Sequence, residues 1–396
     1  MKRKEYLLLI PVFLFLVLTG CIGLNPLEKG SLQGTVNGGD GPLPGVKVEV
    51  GEMVALTDVS GHFLLENVPA GDQYVFFSGS GYASAFQKVT IIKDGRVSLS
   101  PEGTISLLPG TDENVRNSIF SLYQYGFYER SKEESDSFLT RFPTSSFYSD
   151  VLFIKGASFF YLGEYADSIP FLSSLVNGYP ESFFADDGQY LLAKSYGQGQ
   201  SRWGDAITAY RKLVDNYPQS EFVGPSYAEM GDCYYIMESY QDAKVVYELA
   251  RPFGGDVERK SIYGLAHCYY KSELYYKSAT LFAEYVTRYP DNDLADDAQY
   301  FEGASRYRRE DYQDALTAFE KSISYYPNGT WYNGILIVPA SMFNKGLCLE
   351  KLGRSLEAYE TYNDIIRKYP GAQWADGTSL INSAQFRIDL LKDTVL

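Results

Sequence analysis

The chain has 396 residues, 45% of them hydrophobic and 16% aromatic, enough for two or three folded units with buried cores. Its 50 acidic residues outnumber 35 basic ones, giving a formal net charge of −15. That balance repels phosphate backbones and excludes nucleic acid as a natural partner; a solvated acidic surface is the plainer reading of the charge.

The chain opens with Lys2-Arg3-Lys4, then an apolar run from Tyr6 to Leu18 broken only by Pro11, then Leu18-Thr19-Gly20-Cys21. A basic start, a short apolar core and small residues before a cut site describe a secretory signal. The rival reading is an uncleaved transmembrane helix running to about Leu24, marginally long enough to span a bilayer. The tetrad resembles the lipobox of bacterial lipoproteins. That resemblance implies a signal peptide over 1–20, cleavage between Gly20 and Cys21, and an acylated Cys21 heading a tether over 21–30. Two or three acyl chains hold a protein at a bilayer, since each buried methylene contributes about 0.8 kcal/mol. Ile22 stands where the resemblance would put an inner-membrane retention aspartate. The implied location is therefore outer membrane or periplasm where the source has two membranes, and otherwise the cell surface.

From Ser31 to Leu108 the pattern is of short β-rich runs: Leu32–Val36, Val46–Val50, Phe63–Val68, Tyr74–Ser78, Phe86–Ile92 and Val97–Leu107. Turn signals such as Gly38-Gly39-Asp40-Gly41 and Asp94-Gly95 separate them, which predicts a small antiparallel β-sandwich. Gly34-Thr35-Val36, Leu43-Pro44-Gly45-Val46, Thr57-Asp58-Val59-Ser60-Gly61-His62-Phe63, Val68-Pro69-Ala70-Gly71 and Gly81-Tyr82 follow one order. In that order the segment 31–108 resembles the carboxypeptidase regulatory-like domain, a transthyretin-like fold. The resemblance implies a structural or adhesive module without peptidase chemistry.

Beyond it, a small residue is followed 24 positions later by the proline of a Tyr-Pro pair, as from Gly156 to Pro180, Ala266 to Pro290, Gly303 to Pro327 and Gly346 to Pro370. Ala193 to Pro218 is the same unit with one extra residue. Small side chains allow close helix crossing and proline ends a helix, so each unit is a helical hairpin. The unit is that of a tetratricopeptide-repeat array with lengthened loops. The expected fold is a β-sandwich followed by an all-α superhelical solenoid over 109–376. It has about seven repeats, the first degenerate because no small residue stands near Ile119. A capping helix follows over 377–396. Cys233, Cys268 and Cys348 fall in first helices as buried small residues. Asp186-Asp187 and Asp296-Asp297 are expected to cap helix N-termini.

Nothing in the chain reads as catalytic. The two histidines, His62 and His267, lie in different domains without a nucleophile context, and there is no phosphate loop, dinucleotide fingerprint or paired-cysteine zinc spacing. No enzyme activity, cofactor or metal is expected. The candidate site is instead an aromatic stripe on the first helices: Phe153, Tyr190, Tyr263, Tyr300 and Phe343, with Phe160, Tyr235, Tyr270 and Tyr307 seven positions further in their repeats. His267 shares that face and Arg308 lies beside it. Two readings stay open, a partner-binding groove or packing between repeats.

The phrase Tyr-Pro-x-Ser, then a loop, an acidic cap and Tyr-x-x-(Gly/Ala), begins at Tyr217-Pro218-Gln219-Ser220 and, with changes, at Tyr179-Pro180-Glu181-Ser182 and Phe142-Pro143-Thr144-Ser145. These phrases resemble two periplasmic families, the BamD-like lipoprotein of the β-barrel assembly machine and the YbgF-like Tol–Pal coordinator. The resemblance implies a non-catalytic, membrane-anchored envelope scaffold that binds envelope proteins or peptides and touches lipid through Cys21. The alternative is a surface lipoprotein that binds glycan or peptidoglycan.

Overall fold

The computed structural model describes residues 28–99 and 102–395. The signal segment, the lipobox and Cys21 lie outside the described residues. The chain divides into two compact units, up to Ser118 and from Ile119 onward.

The first unit is two small sheets around one apolar layer. Alternation of apolar and polar residues places Leu32, Val36, Phe63, Leu65 and Val68 inward from one sheet and Val48, Val50, Val75, Phe77, Val89 and Ile91 from the other. Phe63 and Phe77 meet edge-on between the sheets at 6.0 Å. The second sheet has order β4-β3-β6-β7, antiparallel throughout, from Lys47–Val50 (β3), Met53–Leu56 (β4), Gly71–Ser78 (β6) and Ala85–Ile91 (β7). The sequence showed no separate strand at β4, which folds back on β3 through a tight turn at Gly51.

The first sheet departs from the antiparallel expectation. Lys29–Gly38 (β1) pairs antiparallel with Gly41–Pro42 (β2) and His62–Pro69 (β5). The run expected as one strand over 97–107 is instead two, Arg96–Ser98 (β8) and Thr104–Ser106 (β9), both parallel to β1. Leu99 interrupts the run because it turns into the core over Gly34, where a Cβ would lie 2.6 Å from the leucine Cδ1. Only glycine leaves room for that leucine.

The second unit is built of helical hairpins, with the start of its first helix lying before the division between units. Among the described residues the hairpins are Asp112–Gln124 and Tyr128–Arg141 (α1, α2), Tyr148–Tyr161 and Tyr165–Gly178 (α3, α4), and Ala185–Lys194 and Trp203–Asn216 (α5, α6). Val223–Ile236 and Tyr240–Ala250 (α7, α8), Gly255–Lys271 and Tyr275–Arg288 (α9, α10), Ala295–Arg308 and Tyr312–Tyr325 (α11, α12), and Val338–Lys351 and Ser355–Lys368 (α13, α14) follow. Leu380–Val395 (α15) packs after them. The all-α solenoid is thus the observed fold. Buried serine pairs stitch a second helix to the next first helix, Ser168 to Ser195 at 2.7 Å, Ser278 to Ser305 at 2.9 Å and Ser322 to Ser341 at 2.8 Å.

One rule recurs inside the hairpins. Sixteen positions after each leading small residue stands a large buried one: Leu172, Tyr247, Phe282, Phe319 and Tyr362. A Cβ on Gly156 would fall 2.7 Å from Leu172, on Gly231 2.4 Å from Tyr247, and on Gly346 2.5 Å from Tyr362. The first helix supplies the hole and the second the knob. The extra residue after Ala193 is absorbed by a π-helical turn, Ser195–Gly199, so the knob becomes Tyr210.

The opening hairpin inverts the rule. Ile119 fills the place of the missing small residue and is fully buried, while Ser135 stands on α2 where the knob would be. Ser131, also buried, donates its hydroxyl to the Ile119 carbonyl at 3.3 Å. The volume has moved from one helix to the other.

After α8 the Tyr-Pro loop is replaced by a 3₁₀ turn, Arg251–Phe253, and two left-handed glycines, Gly254 and Gly255. Phe253 seats against Gly224, where a Cβ would lie 2.4 Å from its ring.

Gly231→Leu is expected to destabilise the chain by about 1–3 kcal/mol through overpacking against Tyr247. Ile119→Gly should cost roughly 3–5 kcal/mol, and adding Ser135→Leu should restore part of it. Urea unfolding measures all three; a double variant no more stable than Ile119→Gly would remove the volume-exchange account.

Candidate partner-binding face

Each aromatic of the stripe has a definite local job. The later set clasps its own hairpin, pairing with the first residue of the second helix. Ring centroids are 5.2 Å apart for Phe160–Tyr165, 5.5 Å for Tyr235–Tyr240, 5.6 Å for Tyr270–Tyr275 and 5.5 Å for Tyr307–Tyr312. The earlier set clamps the loop leading to the next repeat. Phe153 stacks on Phe184 at 4.5 Å and Tyr190 on Phe222 at 4.6 Å, while Tyr300 meets Trp331 edge-on at 4.8 Å and Phe343 meets Trp374 at 5.1 Å. These rings contribute area and geometry to packing between neighbours. Phe153 and Phe343 are buried; the tyrosines, Phe160 and His267 are half-buried, and Arg308 is exposed.

Tyr263 has no loop ring to hold, since Leu294 occupies that place. Its hydroxyl donates instead to Asp297 of the next first helix. His267 sits against the same carboxylate, its Nε2 3.5 Å from Asp297 Oδ2 without a hydrogen bond, and is ringed by Tyr263, Phe282 and Phe301 at 4.5–4.9 Å. Burial, reinforced by Asp297, raises the Tyr263 pKa far above that of a free tyrosine. Asn344 donates to the Tyr300 hydroxyl at 3.0 Å, and Arg308 reaches that of Tyr270.

The acidic pairs do sit in the first turns of α5 and α11, but no side-chain cap bond forms from the residue preceding either helix. Asp296 accepts from the Asp297 and Thr330 backbones at 2.7 and 2.9 Å, while Asp297 serves Tyr263. Capping in the expected form is therefore corrected for Asp297, which couples repeats instead.

Two charged groups on this face are ion-paired between repeats. Lys260 of α9 lies 2.5 Å from Asp232 and 3.0 Å from Glu229, both of α7, and the Tyr247 knob donates its hydroxyl to Asp232 at 2.5 Å. Burial raises the Asp232 carboxyl pKa although Lys260 and Tyr247 pull it down. Burial works the other way on Lys260, whose ammonium the two carboxylates more than restore. Further on, Arg387 of α15 grips Glu350 with two nitrogens, and Tyr362 donates to the same carboxylate at 2.7 Å. Among the described residues no group of acidic, cysteine and histidine side chains is placed to hold a metal ion.

Burial pushes the Cys233, Cys268 and Cys348 thiols up to about 12. Such thiols stay protonated and are poor nucleophiles at neutral pH. Iodoacetamide at pH 8 should leave all three unmodified in the folded chain and label them in urea, read by peptide mass mapping. Labelling of Cys268 at the rate of a free thiol would show that the repeat opens there.

Sequence reading missed the loop partners. Trp331 and Trp374 each begin a small hairpin closed by a glycine, Gly334 or Gly377, whose N–H returns to the tryptophan carbonyl at 2.8 or 2.9 Å. The recurrent signal was Trp-x-(Asn/Asp)-Gly in the last two connecting loops. Trp374 donates its indole N–H to Ser383 at 3.2 Å, nine residues on. Ala340 stands at that offset from Trp331, whose buried indole nitrogen has no acceptor. Ala340→Ser should therefore raise stability by about 1 kcal/mol and Ser383→Ala lower it similarly, both read from urea midpoints. A lower midpoint for Ala340→Ser would mean the two hairpins are not equivalent.

Family models described as tetratricopeptide repeat match residues 150–182, 187–220 and 300–373. No curated protein sequence matches the chain. Among solved structures, the C-terminal part of a repeat-containing protein from Cytophaga hutchinsonii is similar over 69% of this chain and 99% of its own. It is 14% identical, with a TM-score of 0.54. A tetratricopeptide repeat protein from Parabacteroides merdae is 12% identical over 71% of this chain and 98% of its own, TM-score 0.45. YrrB, described as a repeat protein with an unusual peptide-binding site, is 16% identical over 54% and 97%, TM-score 0.42. The C-terminal region carries tetratricopeptide repeats.

Proposed function

We propose that the chain is a non-catalytic scaffold that holds protein partners on its repeats while an acylated Cys21 keeps it at a membrane outside the cytoplasm. Tandem repeats matched over 150–220 and 300–373 carry this reading, because a stacked array offers a long surface of exposed side chains on a rigid frame. The basic start, apolar core and Leu18-Thr19-Gly20-Cys21 support the anchor. Among the described residues no helix is long and apolar enough to cross a membrane. The N-terminal β unit serves as a spacer or adhesive module between anchor and repeats. The partners are envelope proteins, and envelope assembly is the process the resemblance favours.

Growth with an alkynyl fatty acid tests the anchor: the wild-type chain should take up label and sediment with membranes, and Cys21→Ala should do neither. Crosslinking in intact cells, followed by mass identification, tests the scaffold. An unlabelled chain in the soluble fraction would end the anchored reading; recovery without any crosslinked protein would end the scaffold.

A further inference from the structure

Lys132 and Lys244 hold one place in two hairpins, the fifth residue of α2 and of α8. Elsewhere that place is Ile169, Ile207, Ala279, Leu316 or Tyr359. Each ammonium lies over a ring of the following first helix, Lys132 4.9 Å from the centre of Phe159 and Lys244 5.2 Å from that of Tyr269. Their surroundings then part. Lys132 is ion-paired with Glu129 at 2.9 Å and with Glu164 at 2.8 Å. Around Lys244 the places of those carboxylates hold Gln241 and Leu274. Ser272 replaces Leu162 at the helix C-cap, and its hydroxyl accepts from the Lys244 Nζ at 3.3 Å. The place of Asp167 holds a second cation, Lys277, 5.1 Å from the centre of the same Tyr269 ring. Neither Lys244 nor Lys277 makes an ion pair among the described residues.

A lysine stem packs like the apolar residues of the equivalent places, which accounts for the residue type. It does not account for the loss of acid at three places together. Lys244 is 8% exposed, and a charge so far from water is costly unless an opposite charge meets it. The end of α9 offers its dipole, but the end of α3 offers Lys132 the same. We infer that Lys244, with Lys277 and the Ser272 hydroxyl, forms a site for a carboxylate supplied from outside the chain, seated where Glu129 and Glu164 stand in the first hairpins. That approach is open to solvent: the Glu129 side chain is 62% exposed, and Gln241, Leu274 and Lys277 are exposed in turn. The precedent at Lys132 selects a carboxylate over other anions. No residue of the site belongs to the aromatic stripe, and the site goes beyond the scaffold reading without depending on it. A free dicarboxylate would bridge the two ammoniums, whereas an acidic side chain of another protein would present one carboxylate.

Saturation-transfer NMR tests the site on the full chain in nonionic detergent, with succinate and with N-acetyl-glutamic acid α-amide at fixed ionic strength. The wild-type chain should bind with a dissociation constant on the order of 1 mM or below. Lys244→Leu, which installs the residue found at the Leu316 place, should weaken binding at least roughly tenfold. Leu274→Glu keeps Lys244 but restores the carboxylate of the Glu164 place, and should block binding as well. Succinate held about tenfold tighter than the amide assigns a free dicarboxylate; equal affinity assigns an acidic side chain of a partner protein. Transfer that is absent from the wild-type chain, or unchanged in either variant, overturns the site.

Discussion

The helical unit depends on a size complement within its hairpins: a hole on the first helix and a large side chain sixteen residues later to fill it, seventeen after Ala193 and with the two sizes exchanged in the opening hairpin. Interiors packed to crystal density leave no slack for a methyl group at such a crossing. Tyr247 shows how far the constraint extends, since Gly231 of its own hairpin and Gly264 of the next both lie within 2.4 Å of it once given a Cβ. One ring therefore fixes the approach of three helices, and its hydroxyl fixes a fourth group, Asp232.

Around that constraint the aromatics divide their labour. One set closes hairpins and the other holds loops through Phe184, Phe222, Trp331 or Trp374, except at Leu294, where Tyr263 turns to Asp297 instead. What varies between repeats is the polar tip. Tyr263 finds a carboxylate, Tyr300 an amide, and Tyr362 a carboxylate shared with Arg387. Stability is thus passed from neighbour to neighbour, as expected of a stacked array.

Much of this was legible beforehand. The interval of 24 residues announced hairpins because a small crossing residue and a terminating proline are both local necessities. The extra residue between Ala193 and Pro218 was legible, but not the π-helical turn, Ser195–Gly199, that absorbs it. Strand direction was not legible: β8 and β9 pair parallel with β1 and Leu99 between them lies over Gly34, 65 positions earlier, and no periodicity records that. The opening hairpin looked degenerate because the small residue was sought on one helix only, while Ser135 carried it on the other. The stripe's face could be read from its spacing, but whether a neighbour covers it depends on Phe184, Phe222, Trp331 and Trp374, which lie outside the repeating unit. The cysteine environments, by contrast, followed directly from their place beside the holes.

The two tryptophan hairpins are also joined to each other, for the Asn333 side-chain amide donates to the Ala375 carbonyl at 2.7 Å. Other connecting segments are linked in kind, the Tyr217 hydroxyl donating to the Pro180 carbonyl at 3.1 Å and that of Tyr326 to the Pro290 carbonyl at 3.2 Å. A solenoid ordinarily frays from its end one layer at a time. Here bolts between neighbouring loops hold successive layers at their edges as well as along their faces, so amide exchange near the end should report opening in blocks larger than a single helix.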